Sequence, residues 1–176
     1  MKDNNVKIIG GKWKRKNISF NEAKGLRPTL GRVRETLFNW LGQDLNNKKC
    51  LDLFAGTGAL GFEALSRNAE SCTFVENNPS TFQKLIENKE NLKADNAIIK
   101  KIHADFFIKK NDELFDIIFF DPPFVLDNSI QLIEFIRKFL KPHGVIYFET
   151  NIKLPENFLE IIKTSRVGKV YFHLVH

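Results

Sequence analysis

Asp121-Pro122-Pro123-Phe124 is the segment of this chain whose residue types are most specific for chemistry. It follows the apolar run Phe115–Phe120, which reads as a buried strand. Prolines cannot extend a central strand, so the chain must leave the sheet at this point. Each proline also removes an N–H donor and restricts the residue before it. What remains is a stiff loop offering carbonyl oxygens and one carboxylate, but few donors. Such a loop makes a poor oxyanion hole and a good receptor for an amino group with two N–H donors. Hydrogen bonds to the Asp121 carboxylate and the Pro122 carbonyl would favour a pyramidal nitrogen and aim its lone pair at an electrophile. An exocyclic amine of a nucleic-acid base, whose lone pair is delocalised into the ring, gains most from that treatment. Pro123 keeps the turn rigid, and Phe124 can stack on a base pulled out of its helix or loop.

The electrophile is suggested by a second motif, Asp52-Leu-Phe-Ala-Gly56-Thr-Gly58-Ala-Leu-Gly61, which runs from a strand into a helix. Glycines there let the backbone turn tightly and approach a ligand. Gly-x-Gly-x-x-Gly alone fits a dinucleotide site, with Glu76 at the next strand end holding a ribose hydroxyl. Asp52 argues otherwise, because a carboxylate inside an apolar strand is costly without a partner. The ammonium of S-adenosylmethionine would be such a partner. Glu76 would still hold the ribose, and Asp105 in His103-Ala-Asp-Phe-Phe107 either accepts from the adenine amino group or is an ordinary turn aspartate.

These motifs need a scaffold of alternating strands and helices. The pattern predicts strands over 50–54, 72–76, 97–102, 115–120 and 145–150, with helices near 59–67, 79–92 and 127–140. Asn78 followed by Pro79 is an N-cap with proline at the first helical position, and Lys141-Pro-His-Gly144 is expected to stop the helix before it. Near-continuous apolar strands imply a mostly parallel sheet covered on both faces, an α/β fold. The tail, with Phe158-Leu-Glu-Ile-Ile162 and Lys169–Val175 around Val167-Gly168, predicts an antiparallel hairpin at one edge. Ahead of the sheet, 7–13 and 16–20 look like two short strands around Gly10-Gly11, and 31–42 like a helix with Val33, Leu37, Trp40 and Leu41 on one face. Trp40 is expected in the core, and so are Tyr171 and Phe172.

The 176 residues suit one domain, 1–176, in which 1–30 form a basic hairpin extension. Composition is that of an ordinary globular protein, 43% hydrophobic and 27% charged. No apolar run would cross a bilayer, and the start lacks a signal peptide's apolar core. Cys50 and Cys72 lie in apolar strands and are expected to be buried thiols; the four histidines give no zinc spacing. A cytoplasmic, metal-free protein is the expectation. The charge is concentrated: residues 1–34 hold ten Lys/Arg against Asp3 and Glu22, a balance of +8, whereas the whole chain carries +6. A polyanion partner would select such an arrangement. Trp13, among Lys12, Lys14 and Arg15, either stacks on RNA or covers the hairpin.

Ile8-Ile-Gly-Gly-Lys-Trp13, Gly25-Leu-Arg-Pro-Thr29, Arg32-Val-Arg-Glu-Thr-Leu-Phe-Asn-Trp-Leu41, Leu51–Gly61, Glu63-Ala-Leu-Ser-Arg67 and Asp121–Phe124 together resemble the RsmD family. These are bacterial 16S ribosomal RNA guanine-N2 methyltransferases, and the match covers nearly the whole chain. The resemblance implies a class I methyltransferase fold, a Rossmann-like seven-stranded sheet with an N-terminal hairpin. It implies S-adenosylmethionine contacts at Asp52, Phe54, Gly56, Gly58, Glu76, Asn77, Asp105 and Phe106, and the target amine at Asp121, Pro122, Pro123 and Phe124. It places Arg27, Thr29, Arg32 and Arg34 near the active-site mouth, for RNA or the cofactor carboxylate, and the charge of the arm adds Lys12, Trp13, Lys14 and Arg15 as candidate RNA contacts. The substrate would be 16S rRNA in a small subunit or an assembly intermediate, and the enzyme a monomer. The chain departs from the family at Leu30-Gly31, where a polar cap residue and an acid usually stand; this would weaken the following helix start by roughly 1 kcal/mol. The alternatives left by the residues themselves are a DNA adenine-N6 methyltransferase, a nicotinamide-dependent oxidoreductase and a non-catalytic RNA-binding protein.

Overall fold

The computed structural model describes residues 4–21, 29–122, 129–151 and 160–176. Seven strands form one sheet in the order β5-β4-β3-β6-β7-β9-β8. The parallel part comprises β3 (Lys49–Asp52), β4 (Ser71–Glu76), β5 (Ala97–Lys101), β6 (Phe115–Phe120) and β7 (Leu140–Thr150). The strands β8 (Ile161–Val167) and β9 (Val170–Val175) form the antiparallel hairpin, and β9 inserts beside β7. This is the mostly parallel α/β sheet with an antiparallel C-terminal hairpin that the sequence predicts. The strand order reverses between β3 and β6, and ligands of open α/β sheets bind at the carboxyl ends around that point.

Each central strand is buried on both faces, so its apolar residues divide between two cores by alternation. Cys50, Ile117, Phe119 and Tyr147 point into one core with α1 (Gly31–Leu41), α2 (Ala59–Ser66) and α3 (Pro79–Leu92). Leu51, Ile118, Phe120 and Phe148 point into the other with α4 (Ala104–Lys110) and α5 (Ser129–Ile136). Cys50 and Cys72 are free, fully buried thiols, and burial pushes both well above their ordinary ionisation range. Trp40 stacks on the buried Phe172 at 5.2 Å between ring centroids. Among the described residues no helix is long and apolar enough to cross a membrane.

Several boundaries differ from the sequence pattern. The first strand, β1, spans Asn4–Lys7 and pairs antiparallel with β2 (Asn17–Phe20), while Gly11–Trp13 forms a 3₁₀ turn between them. The two glycines thus close a loop and do not extend a strand. The segment around Asp105, for which an ordinary turn is one of two readings from sequence, opens α4. Its apolar pair Phe107 and Ile108 supplies the packing that a short helix needs. The helix expected over 127–140 ends at Ile136, continues as one 3₁₀ turn to Phe139, and Lys141-Pro142 belong to β7. The expected start of that helix at Asp127 and the start of the tail strand at 158–159 lie outside the described residues. Two end signals behave as the sequence predicts. Asn78 Oδ1 accepts from the Ser80 and Thr81 amides at 2.9 and 3.1 Å, and Leu30 supplies no side-chain cap to α1.

The N-terminal hairpin docks on the helices beside the sheet. Buried Asn88 of α3 mimics a strand partner for β2: its Oδ1 accepts from the Ser19 amide at 2.9 Å and its Nδ2 donates to the Ser19 carbonyl at 2.8 Å. Asn88→Ala is expected to lower stability by about 1–3 kcal/mol through the unpaired Ser19 groups, read as a reduced urea midpoint with an unchanged m-value.

Candidate active site

The carboxyl ends of β3, β4 and β6 converge on one crevice. The Gly-rich loop after β3 is shaped by left-handed backbone at Gly56 (φ 50°) and Gly58 (φ 76°), conformations that favour glycine. A Cβ on Gly58 would stand 2.7 Å from a Leu85 methyl, so the loop also lies close on α3. Asp52, the last residue of β3, is buried, and its Oδ2 accepts from the Gly61 amide in the first turn of α2 at 3.0 Å. That amide is the partner offsetting its burial within the fold. Desolvation still pushes the Asp52 carboxyl well above the usual range, opposed by the Gly61 bond and reinforced by Asp121 and Glu76. A cation arriving beside it would favour the ionised form.

Glu76, at the end of β4, ties two loops together. It accepts from the Gly56 amide at 3.0 Å and from the Asn78 amide at 2.8 Å. Next to it, Asn77 Nδ2 lies 3.0 Å from His103 Nδ1. Asp105 stands in the first turn of α4, and Phe106 behind it exposes 56% of its surface. Phe54 is half-buried with its ring edge-on to Phe120, at 5.5 Å. Phe54, Gly56 and Gly58 thus lie in the loop after β3, Glu76 and Asn77 at the end of β4, and Asp105 and Phe106 in α4 after β5.

Asp121 follows β6 and is half-buried, with Pro122 buried behind it. Its Oδ2 accepts from the Thr29 hydroxyl at 3.1 Å. Burial pushes the Asp121 carboxyl up to about 6, and the Thr29 bond acts in the opposite direction. Thr29→Ala should therefore move the acidic limb of the activity profile to higher pH, measured as log kcat/KM against pH. Pro123, Phe124 and Arg27 lie outside the described residues.

The basic segment divides into two groups. Lys12, Lys14, Arg15 and Arg32 are exposed. Trp13 and Arg34 are not available to RNA, which corrects the reading made from sequence. Trp13 is buried beneath Lys12, whose Nζ lies 4.6 Å from the ring centroid, and its amide donates to Ser66 Oγ at 2.9 Å. Arg34 is buried, donates to the Lys7 carbonyl at 3.0 Å and faces Glu63 at 3.9 Å. Local sequence could not separate these from their exposed neighbours, because Trp13 stands between Lys12 and Lys14 and Arg34 is two residues from the exposed Arg32. Thr29, expected near the active-site mouth, bonds Asp121.

The sequence reading also passed over Glu63 and Glu149. Glu63 is buried in α2 and binds the hairpin loop; Glu149 is buried near the end of β7, one residue past the Phe148 that pairs with Phe120. The signal that singled out Asp52, an acid within an apolar strand, was present at Glu149 as well.

A family model described as "Conserved hypothetical protein 95" matches residues 6–176. Ribosomal RNA small subunit methyltransferase D of Escherichia coli (strain K12) is 42% identical over 177 residues, covering 96% of this chain and 88% of that protein. Its namesake in Haemophilus influenzae is 38% identical over 179 residues, covering 96% and 92%. Among solved structures, a putative methyltransferase of Escherichia coli superposes with a TM-score of 0.83 at 36% identity, over 97% of each chain. The shared sequence over nearly the full length, on the same fold, means that this chain belongs to the RsmD family of methyltransferases.

Proposed function

We propose that this chain transfers the methyl group of S-adenosylmethionine to the N2 amino group of one guanine in 16S ribosomal RNA. It would do so as a cytoplasmic monomer acting on the small subunit or an assembly intermediate. The observation that carries the reading is Asp121, a half-buried carboxylate held by Thr29 at the strand end beside the glycine loop. The relatives' naming for small-subunit rRNA supports the substrate class.

The residues present suit the cofactor. Buried Asp52 would gain from a nearby cation, Glu76, fixed by its two backbone bonds, would hold the ribose, and exposed Phe106 beside Asp105 would offer an adenine a face and an acceptor. When bound, S-adenosylmethionine supplies the electrophilic methyl. The protein's own contribution is orientation. Thr29 engages Asp121 Oδ2 and turns the carboxylate toward the substrate amine; the Pro122 carbonyl accepts the second N–H; Phe124 stacks on the base. Proton loss follows transfer, so no strong general base is needed. The exposed cations Lys12, Lys14, Arg15 and Arg32, with Arg27, would neutralise RNA phosphates, giving an affinity that falls steeply with salt. The domain reading, one catalytic domain 1–176 with 1–30 as its extension, completes this proposal.

The test is to incubate the enzyme with labelled S-adenosylmethionine and either small subunits from cells lacking it or DNA, then identify the labelled nucleoside. N2-methylguanosine in 16S RNA is expected. N6-methyladenine in DNA would overturn the assignment.

A further inference from the structure

The tetrapeptide explains how an amine is held but not why the base would be guanine, since adenine and cytosine also carry exocyclic amines. A neighbouring group supplies the distinction. β6 and β7 run parallel and in register, with Phe119 beside Tyr147 and Phe120 beside Phe148. The next residue on each path is Asp121 on one side and Glu149 on the other. Adjacent strands stand about 4.8 Å apart and share a pleat, so the register continued one step past Phe120 and Phe148 would bring the two acids to the same face. Both act on the buried Tyr147 hydroxyl, holding it well above its ordinary range after the larger effect of burial itself. That hydroxyl donates to Glu149 Oε1 at 2.5 Å. Glu149 is only 9% exposed. Burying a carboxylate is expensive, and an apolar side chain would close this strand end at lower cost.

We infer that Glu149 determines base specificity by accepting the N1–H of the target guanine while Asp121 and Pro122 hold its N2 amine. The inference rests on the guanine-N2 reading above. Guanine presents N1–H directly beside its amino group, a contiguous row of donors. In adenine and cytosine the ring nitrogen beside the amine carries a lone pair, which a carboxylate repels. A carboxylate offers about four acceptor sites, of which the Tyr147 hydroxyl takes one. Tyr147 is then a positioning residue that fixes the Glu149 head group.

The test uses small subunits reconstituted with 16S RNA assembled by ligation, carrying guanine or 2-aminopurine at the methylated position. 2-Aminopurine keeps the 2-amino group and replaces N1–H with a lone pair. The wild-type enzyme should favour guanine by at least about 100-fold in kcat/KM, as sites built to bind a substrate N–H do. Glu149→Gln, whose amide can donate to that lone pair, should reduce this ratio by at least about 10-fold. Glu149→Ala should reduce it as well, without restoring turnover of 2-aminopurine. A ratio unchanged in Glu149→Gln would overturn the inference. So would a wild-type enzyme that accepts both bases equally, a result that needs no folded variant. Absence of N2-methylguanosine with wild-type enzyme and guanine would instead remove the underlying reading.

Discussion

Asp121→Ala is expected to lower kcat/KM for methyl transfer by about 10²–10³-fold, the scale for losing one preorganised polar contact to a reacting group. Melting should change little, because the variant loses the Thr29 bond but also removes a half-buried carboxylate. The pH dependence is more diagnostic than the loss itself. Burial raises the Asp121 carboxyl to about 6, so below that pH the group is protonated and a poor acceptor for an amine. Activity of the wild-type enzyme should therefore rise with pH through about 6 and level off above it. Asp121→Asn keeps the shape and an acceptor oxygen but cannot titrate. Its residual activity should show no limb near 6. A wild-type profile flat from pH 5 to 8 would contradict an ionised Asp121 as the amine receptor.

Glu63→Ala is expected to cost about 3–5 kcal/mol of stability, the range for removing one partner from a buried charge network. For a domain of this size that is a fall in Tm of about 6–20 °C, read by calorimetry. The reason is the number of groups that converge on this fully buried carboxylate. Oε2 accepts from the Ile9 amide at 2.7 Å and faces Arg34 at 3.9 Å. Oε1 accepts from the Gly10 amide at 2.8 Å and from Arg67 Nε at 2.9 Å. Removing it strands two guanidinium groups and two backbone amides. The loop it grips fits closely: Gly11 has φ 71°, and a Cβ there would stand 1.8 Å from the Ser66 carbonyl oxygen. Because α2 also begins at the cofactor loop, the loss should loosen the hairpin and weaken S-adenosylmethionine binding together. Loss of stability with unaltered cofactor affinity would separate the two.

The sequence by itself determined the parts of this protein whose signals are local. The parallel strands and the helices α1, α2 and α3 follow from hydrophobic period and from caps such as Asn78-Pro79, which act within a few residues. The glycine loop and Asp121-Pro122 were legible because backbone constraints and burial of a lone acid are written in adjacent residues. The tertiary structure alone decided which cations face solvent. Lys12 and Trp13, or Arg32 and Arg34, are near neighbours in the chain, yet α2 buries one of each pair through Glu63 and Ser66, more than 25 residues away. It alone brought Thr29 to Asp121 across 92 positions. It alone set Glu149 beside that carboxylate, because parallel register joins β6 to β7 and no local pattern encodes it. Contacts between distant segments are selected by packing and charge in three dimensions, which no local pattern of residues records.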